Sequence, residues 1–169
     1  MEDVLLSFIH GLLATLALPQ VGLSAIFAIA LVSATLLPLG SEPAVFGYIK
    51  LAPDMFWAAV LVATAGNTLG GAISYWMGLG AEKAYERWKA KHGKERAPGR
   101  WDARARAWMS RLGPPALLFS WLPVVGDPLC AAAGWLRLRF WPCLAYMAIG
   151  KFARYVTMTY FLLWAAQGW

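Results

Sequence analysis

Two short stretches of the chain carry an acid between two prolines, and each interrupts an apolar run. They are Leu37-Pro38-x-x-x-Glu42-Pro43 and Leu122-Pro123-x-x-x-Asp127-Pro128. Proline lacks a backbone N–H and blocks helix continuation, so both runs should break at these points. Broken backbone at membrane depth is tolerated in a covered or wet cavity, and paired interruptions of two halves point to the binding groups of an inverted-repeat transporter. Glu42 and Asp127 are therefore predicted to bind substrate or exchange protons.

Two cations in the last apolar run supply the opposite charge. Lys151 and Arg154 are three residues apart, so they share one helix face, which should turn toward the broken runs. Each ionisable group costs about 2.5–3.5 kcal/mol at the centre of a membrane helix, which favours pairing with the acids. Aligning the two apolar runs that follow the breaks at Gly66 and Gly150 places Asn67 opposite Lys151. We predict one polar cluster of Asn67, the two acids and the two cations.

This cluster has two interpretations, a binding site and a structural lock. In the first, the acids bind or exchange protons and the cations hold an anion such as a phosphate headgroup. Helices that begin near Ala44 and Leu129 would add their positive dipole ends. In the second, a closed network of salt bridges fixes the broken segments in place. Replacing Glu42 with Gln separates them, because a binding site loses activity in a folded protein whereas a lock loses the folded protein.

The composition is that of a membrane protein, with 60% hydrophobic residues, 14% charged residues and ten Trp. Residues 82–111 contain ten Lys or Arg against four Asp or Glu, and the rest of the chain carries five of each. The positive-inside rule places this basic segment in the cytoplasm, where it would contact anionic lipids rather than nucleic acid. Cys130 and Cys143 have no metal-ligand spacing, so neither a metal nor a cofactor is expected.

The runs predict an all-α integral membrane protein with a single multi-pass domain. We expect an inverted repeat of two re-entrant helical hairpins, each followed by a transmembrane helix, together with an N-terminal helix and a basic amphipathic cytoplasmic segment. The predicted segments are an N-terminal helix 4–18, a broken segment 21–52, a transmembrane helix 54–80, a basic segment 81–112, a broken segment 114–139 and a transmembrane helix 140–167. Glu2 and Asp3 replace the basic flank of a signal peptide, so segment 4–18 is interpreted as a retained helix.

Local signals refine three of these segments. Asp54 is placed to cap the helix that follows it. Gly66 and Gly70 form a GxxxG pattern, whose small face should let a neighbouring helix approach closely. Apolar and Arg residues at helical spacing in 100–112 are typical of an in-plane interfacial helix, or of an amphipathic helix packed on protein.

Several of these motifs resemble the YqaA branch of the DedA family, within the wider group of VTT-domain membrane proteins. The resemblance covers about residues 30–156 and rests on five runs: 33–42, 66–71, 120–127, 133–135 and 150–155. It implies a bacterial inner-membrane protein with two opposed re-entrant hairpins. It also implies a link to translocation of phospholipids or of lipid carriers such as undecaprenyl phosphate, and to proton-dependent membrane homeostasis.

The resemblance also bears on individual residues. Glu42 and Asp54 match the two acids of the family's first half, which adds Asp54 to the predicted substrate- or proton-binding residues Glu42, Asn67, Asp127, Lys151 and Arg154. Many members carry an Arg before the second hairpin's proline and another after it, where this chain has Trp121 and Asp127. Those arginines are natural phosphate ligands. In this chain the cations of the last span would have to supply the positive charge instead.

Translocation of a phospholipid or polyprenyl-phosphate lipid is the function that these observations favour, with membrane lipids as partners. The first alternative is a proton-coupled transporter of a small ion or solute, with the acids as proton carriers. The second is a non-transporting membrane assembly or homeostasis factor. An enzyme is not expected, because the chain has no P-loop, no Ser-His pair and no metal-ligand cluster. The oligomeric state stays open.

Overall fold

The architecture is all-helical. The structure is a computed structural model and describes residues 18–35, 41–92, 112–122 and 126–167. Within these ranges the chain forms helices and turns without a β-strand, which confirms the predicted all-α class. The α-helices are α1 (Pro19–Thr35), α2 (Glu42–Leu51), α3 (Phe56–His92), α4 (Gly126–Trp135) and α5 (Phe140–Gln167). Two 3-10 helices, Pro53–Met55 and Pro114–Trp121, precede α3 and α4.

Several predicted features lie outside the described residues. They are the N-terminal helix up to residue 17, the break prolines Pro38 and Pro123, and the basic segment from 93 to 111 with its interfacial helix. The other two break prolines are described. Pro43 lies in the first turn of α2 and Pro128 in the first turn of α4, where a missing N–H removes no helical hydrogen bond.

Helix α3 is longer than the predicted transmembrane helix 54–80. It runs unbroken for 37 residues, about 55 Å, into the predicted basic segment. Within the described chain, the helical stretch Pro53–His92 is the one both long and apolar enough to cross a bilayer, because an 18-residue window within it has a mean hydropathy of 1.4. Because a hydrocarbon core is about 30 Å thick, the charged C-terminal end of α3 projects beyond it.

Glycines in α3 and α5 allow close backbone contact with an earlier helix of the chain, which is α1 for α3 and the second 3-10 helix for α5. A Cβ at Gly66 would lie 2.5 Å from the carbonyl oxygen of Phe27 in α1. A Cβ at Gly150 would lie 2.6 Å from the carbonyl oxygen of Leu118 in the second 3-10 helix. Gly70 also faces α1, so the predicted packing role of the GxxxG face is confirmed.

A second close crossing joins α3 to α4. A Cβ at Gly78 of α3 would collide with the carbonyl group of Ala131, and a Cβ at Gly134 of α4 would collide with the carbonyl group of Tyr75. The hydroxyl of Tyr75 donates to the carbonyl oxygen of Leu138 just beyond α4, at 2.5 Å. These contacts fix α4, which carries Asp127 in its first turn, against α3.

The outward faces of the helices are apolar. Among the described residues, four Trp side chains are more than half exposed: Trp57, Trp76, Trp141 and Trp164. Large exposed apolar patches are unusual on soluble monomers and typical of surfaces that contact a membrane or another protein. Polar side chains such as Lys151, Asn67 and Thr159 are instead buried among the helices. The arrangement therefore directs charge inward and apolar surface outward.

Candidate functional site

Lys151 of α5 lies at the centre of a polar cluster between α3, α4 and α5. Its side chain is only 1% exposed. The Nζ atom donates to the backbone carbonyl oxygen of Asn67 at 2.6 Å, to Oδ1 of the same residue, and to Oδ1 of Asp127 at 3.2 Å. A buried ammonium needs such partners, because taking an unpaired charge out of water is strongly unfavourable. The predicted alignment of Asn67 with Lys151 corresponds to a direct contact.

Arg154 and Glu42 form a second ion pair one helical turn away. The Nε and Nη2 atoms of Arg154 both contact Oε1 of Glu42, and the two side chains are 12% and 13% exposed. Glu42 is the first residue of α2, so its carboxylate also lies at the positive end of that helix dipole. Asp127 likewise lies in the first turn of α4, as its second residue. Each cation of α5 thus meets the first-turn acid of one broken segment.

A chain of hydrogen bonds joins the two broken segments. Tyr155 is fully buried on the same face of α5; its hydroxyl accepts from Nδ2 of Asn67 at 2.9 Å and lies 2.5 Å from Oγ of Ser41. Ser41 is the N-cap residue of α2. Polar groups therefore run without interruption from Asp127 through Lys151, Asn67 and Tyr155 to Ser41.

Five of the six predicted binding residues come together in this cluster, and Asp54 does not. Asp54 is exposed in the 3-10 helix Pro53–Met55, thirteen residues before Asn67, or about 20 Å along the helix. The prediction that Asp54 is an N-cap is wrong. Pro53 begins the helix one residue earlier, and Ala52 takes the cap position.

Ser41 and Tyr155 belong to the cluster but were not predicted as site residues. Tyr155 follows Lys151 by four residues, a spacing that puts the two on one face of a helix. A search for polar side chains at that spacing would have found it. Ser41 carries a weaker signal, since a hydroxyl residue before Glu42 is also what an ordinary helix start favours.

The two acids differ in the solvent exposure of their side chains. The Asp127 side chain is 33% exposed, whereas that of Glu42 is 13% exposed. Chemically, the cluster offers two carboxylates that can take up protons and two cations that can bind an anion when their ion pairs with the carboxylates break. Among the described residues, no group of three or more His, Cys, Asp and Glu side chains is arranged to hold a metal ion.

Comparison with known proteins places the chain in a family. The family model of the VTT domain matches residues 5–163. The chain is also 37% identical over 136 residues to the inner membrane protein YqaA of Escherichia coli, covering 80% of this chain and 87% of YqaA. The chain belongs to the VTT-domain family. The predicted DedA-family resemblance is thereby confirmed, and this VTT-domain chain is a membrane protein.

Other relatives of this VTT-domain protein give the same result. YqaA of Shigella flexneri matches with the same identity and coverage. An uncharacterized protein of Haemophilus influenzae is 37% identical over 142 residues, covering 79% of this chain and 83% of that protein. The names of the two YqaA relatives support an inner-membrane location for the family member described here. No solved structure matches the chain.

Proposed function

We propose that this VTT-domain protein translocates a phospholipid or polyprenyl-phosphate lipid across the inner membrane, with the charged cluster as its site. The observation that carries the proposal is the burial of Lys151 and Arg154 against the first-turn acids of two separate broken segments. A lock needs no charge, because well-packed apolar residues often replace a buried ion pair without loss of stability. Ionisable groups retained at membrane depth indicate function by default.

In this proposal, protonation of an acid releases a cation for the lipid phosphate. A neutral Glu42 no longer holds Arg154, whose planar guanidinium can then bind two phosphate oxygens. Asp127 is the more exposed acid, so the headgroup would first meet the pair that it forms with Lys151. The acyl or prenyl chains would stay against the exposed apolar faces of the helices. No nucleotide motif is present, so the lipid would move down its own gradient or with protons.

The proposal also treats the two broken segments as opposed re-entrant hairpins of an inverted repeat. Two features support this relation. Gly66 and Gly150, which correspond in the alignment, each receive a carbonyl oxygen from the earlier helix that packs against their own helix. Asn67 and Lys151, which also correspond, contact each other, as residues beside a two-fold axis would. The substrate would then lie where the two halves meet.

Lipid flipping in proteoliposomes tests the proposal directly. A fluorescent phospholipid, and separately a fluorescent polyprenyl phosphate, is followed by quenching from outside. We expect the wild-type protein to accelerate flipping, and Glu42→Gln and Arg154→Gln to lower the rate at least tenfold while remaining folded. Arg139→Gln removes an exposed cation and serves as the control. A wild-type rate equal to that of empty liposomes, where a known flippase works, would refute translocation of these lipids.

A second candidate, proton-coupled transport of a small ion or solute, is favoured by one observation. The hydrogen-bonded chain from Asp127 to Ser41 links both acid-bearing segments and could relay a proton between them. Solute uptake that depends on an imposed proton gradient, without lipid flipping, would support this function instead. Loss of the folded protein in the Glu42→Gln variant would support the structural lock.

A further inference from the structure

A separate polar pocket lies at the basic end of α3. Its volume is about 560 Å³, within the usual range of ligand pockets. It is lined by Glu82, Tyr85, Glu86, Trp135, Leu136 and Arg137. Glu82 is the first charged residue of α3 and directly follows its apolar stretch, which ends at Ala81. The pocket therefore lies at the level of lipid headgroups rather than of hydrocarbon.

Arg137 occupies a backbone position that usually belongs to glycine. Its φ is +52°, and among the described residues it is the non-glycine residue with a positive φ. The N–H of Arg137 bonds to the carbonyl oxygen of Gly134 at 3.0 Å, and that of Leu138 bonds to Ala133 at 3.1 Å, which is the Schellman cap of α4. An L-residue is unfavourable at that position. The conformational cost of an arginine at this position favours a use for its side chain.

The pocket carries charge of both signs. Nε of Arg137 donates to Oε2 of Glu82 at 2.9 Å, and the Arg137 side chain is 58% exposed. A guanidinium has five N–H donors, so this bond leaves further donors for an anion. Glu86 lies one turn beyond Glu82 on the same face of α3. The rings of Tyr85 and Trp135 form an aromatic wall, with centroids 5.8 Å apart.

We propose that this pocket binds a phospholipid headgroup that carries both an ammonium and a phosphate, as in phosphatidylethanolamine. Arg137 would hold the phosphate, and Glu86 would hold the ammonium beside the aromatic wall. A purely anionic headgroup would face two carboxylates, and a purely cationic one would face the guanidinium. The close crossing of α3 and α4 at Gly78 and Gly134 holds the two sides of the pocket at a fixed distance. This site does not depend on the central cluster or on lipid translocation.

Native mass spectrometry of the purified full-length chain tests this site. The protein is titrated with a short-chain phosphatidylethanolamine and with a phosphatidylglycerol of the same acyl length. We expect tighter binding of phosphatidylethanolamine, and at least a fivefold loss of that preference in Glu86→Gln and Arg137→Gly. Glycine suits the left-handed position, so Arg137→Gly should fold. Arg139→Gln, which removes an exposed cation that does not line the pocket, should bind the lipid as the wild type does.

Three results would overturn the proposal. They are equal binding of the two lipids by the wild type, an unchanged preference in both pocket variants, and an equal loss in the Arg139→Gln control. Soluble phosphoethanolamine is the last probe, because it carries the same two charged groups without acyl chains. Its competition at concentrations matching those of the lipid would assign the pocket to a free metabolite rather than to a membrane lipid.

Discussion

Lys151 of α5 donates to two oxygen atoms of one residue of α3, the backbone carbonyl oxygen and the side-chain oxygen of Asn67. Gly71, one turn further along α3, leaves the room for this contact. A Cβ at Gly71 would lie 3.0 Å from Nζ of Lys151 and 3.3 Å from Sγ of Cys130. The absence of a side chain at position 71 therefore allows a buried ammonium to reach the backbone of α3.

The first prediction concerns Gly71. Gly71→Ala should displace the flexible end of Lys151, so we expect a folded protein with at least a fivefold lower transport rate. Gly47→Ala is the matched control, because a Cβ at Gly47 has nothing within 4 Å. Transport by each variant is measured in proteoliposomes, and folding by size-exclusion chromatography. A wild-type rate in Gly71→Ala would show that the position of Nζ does not matter.

The second prediction concerns Tyr155. Tyr155→Phe leaves the ring in place and removes the hydroxyl, so the buried polar groups of Ser41 and Asn67 lose their shared partner. The expected loss of stability is about 1–3 kcal/mol, measured as a lower midpoint of thermal unfolding in detergent. Tyr160→Phe is the control, because Tyr160 is 54% exposed. Equal midpoints for the two variants would contradict the bridging role of Tyr155.

The third prediction concerns the crossing of α3 and α4. Gly78→Ala should prevent folding, because its Cβ would collide with backbone atoms of Ala131, which cannot rotate away. Gly80→Ala, two residues further along α3, has open space and should be neutral or stabilising by up to about 1 kcal/mol. The yield of monodisperse protein after purification measures both. Normal yield of Gly78→Ala would mean that the two helices can separate.

The fourth prediction concerns the energetic coupling of Glu42 and Arg154. Because these two groups form a largely buried ion pair, removing either leaves the other without its charge partner. In a double-mutant cycle of Glu42→Gln and Arg154→Gln, the free energy of unfolding should fall less in the double variant than the two single losses add up to. The expected difference is about 0.5–3 kcal/mol. Lys83→Gln paired with Glu42→Gln should be additive. Additivity in the first cycle would indicate no direct interaction.

The all-α class and the inward-facing cations could be predicted from the sequence because both follow from local rules. Proline and acidic residues mark the helix starts at Glu42 and Gly126, and the spacing of Lys151 and Arg154 fixes their common face. Pairing of opposite charges in an apolar setting then follows from electrostatics. The length of α3 is underestimated, because the predicted helix ends with the apolar run at residue 80 whereas α3 continues through charged residues to His92, just before Gly93.

Contacts between distant segments could not be predicted from the sequence. Tyr155 contacts Ser41 across 114 positions, and only the packing of α2 on α5 brings them together. The pocket around Arg137 depends on the same kind of information, because Glu82 lies 55 positions away. Arg137 also has a left-handed backbone conformation, where glycine is usually preferred, so the sequence alone gives no reason to expect it.

The glycine crossings have a mechanical consequence. They press α1 and α4 onto α3, and the second 3-10 helix onto α5, so each group should move as a rigid body. The second broken segment contributes α4 to the first body and the second 3-10 helix to the other. Lys151, bonded to Asn67 and Asp127, spans the seam between them. Any relative rotation of the two bodies must therefore stretch or break the hydrogen bonds of the Lys151 ammonium, so these bonds should resist such a rotation.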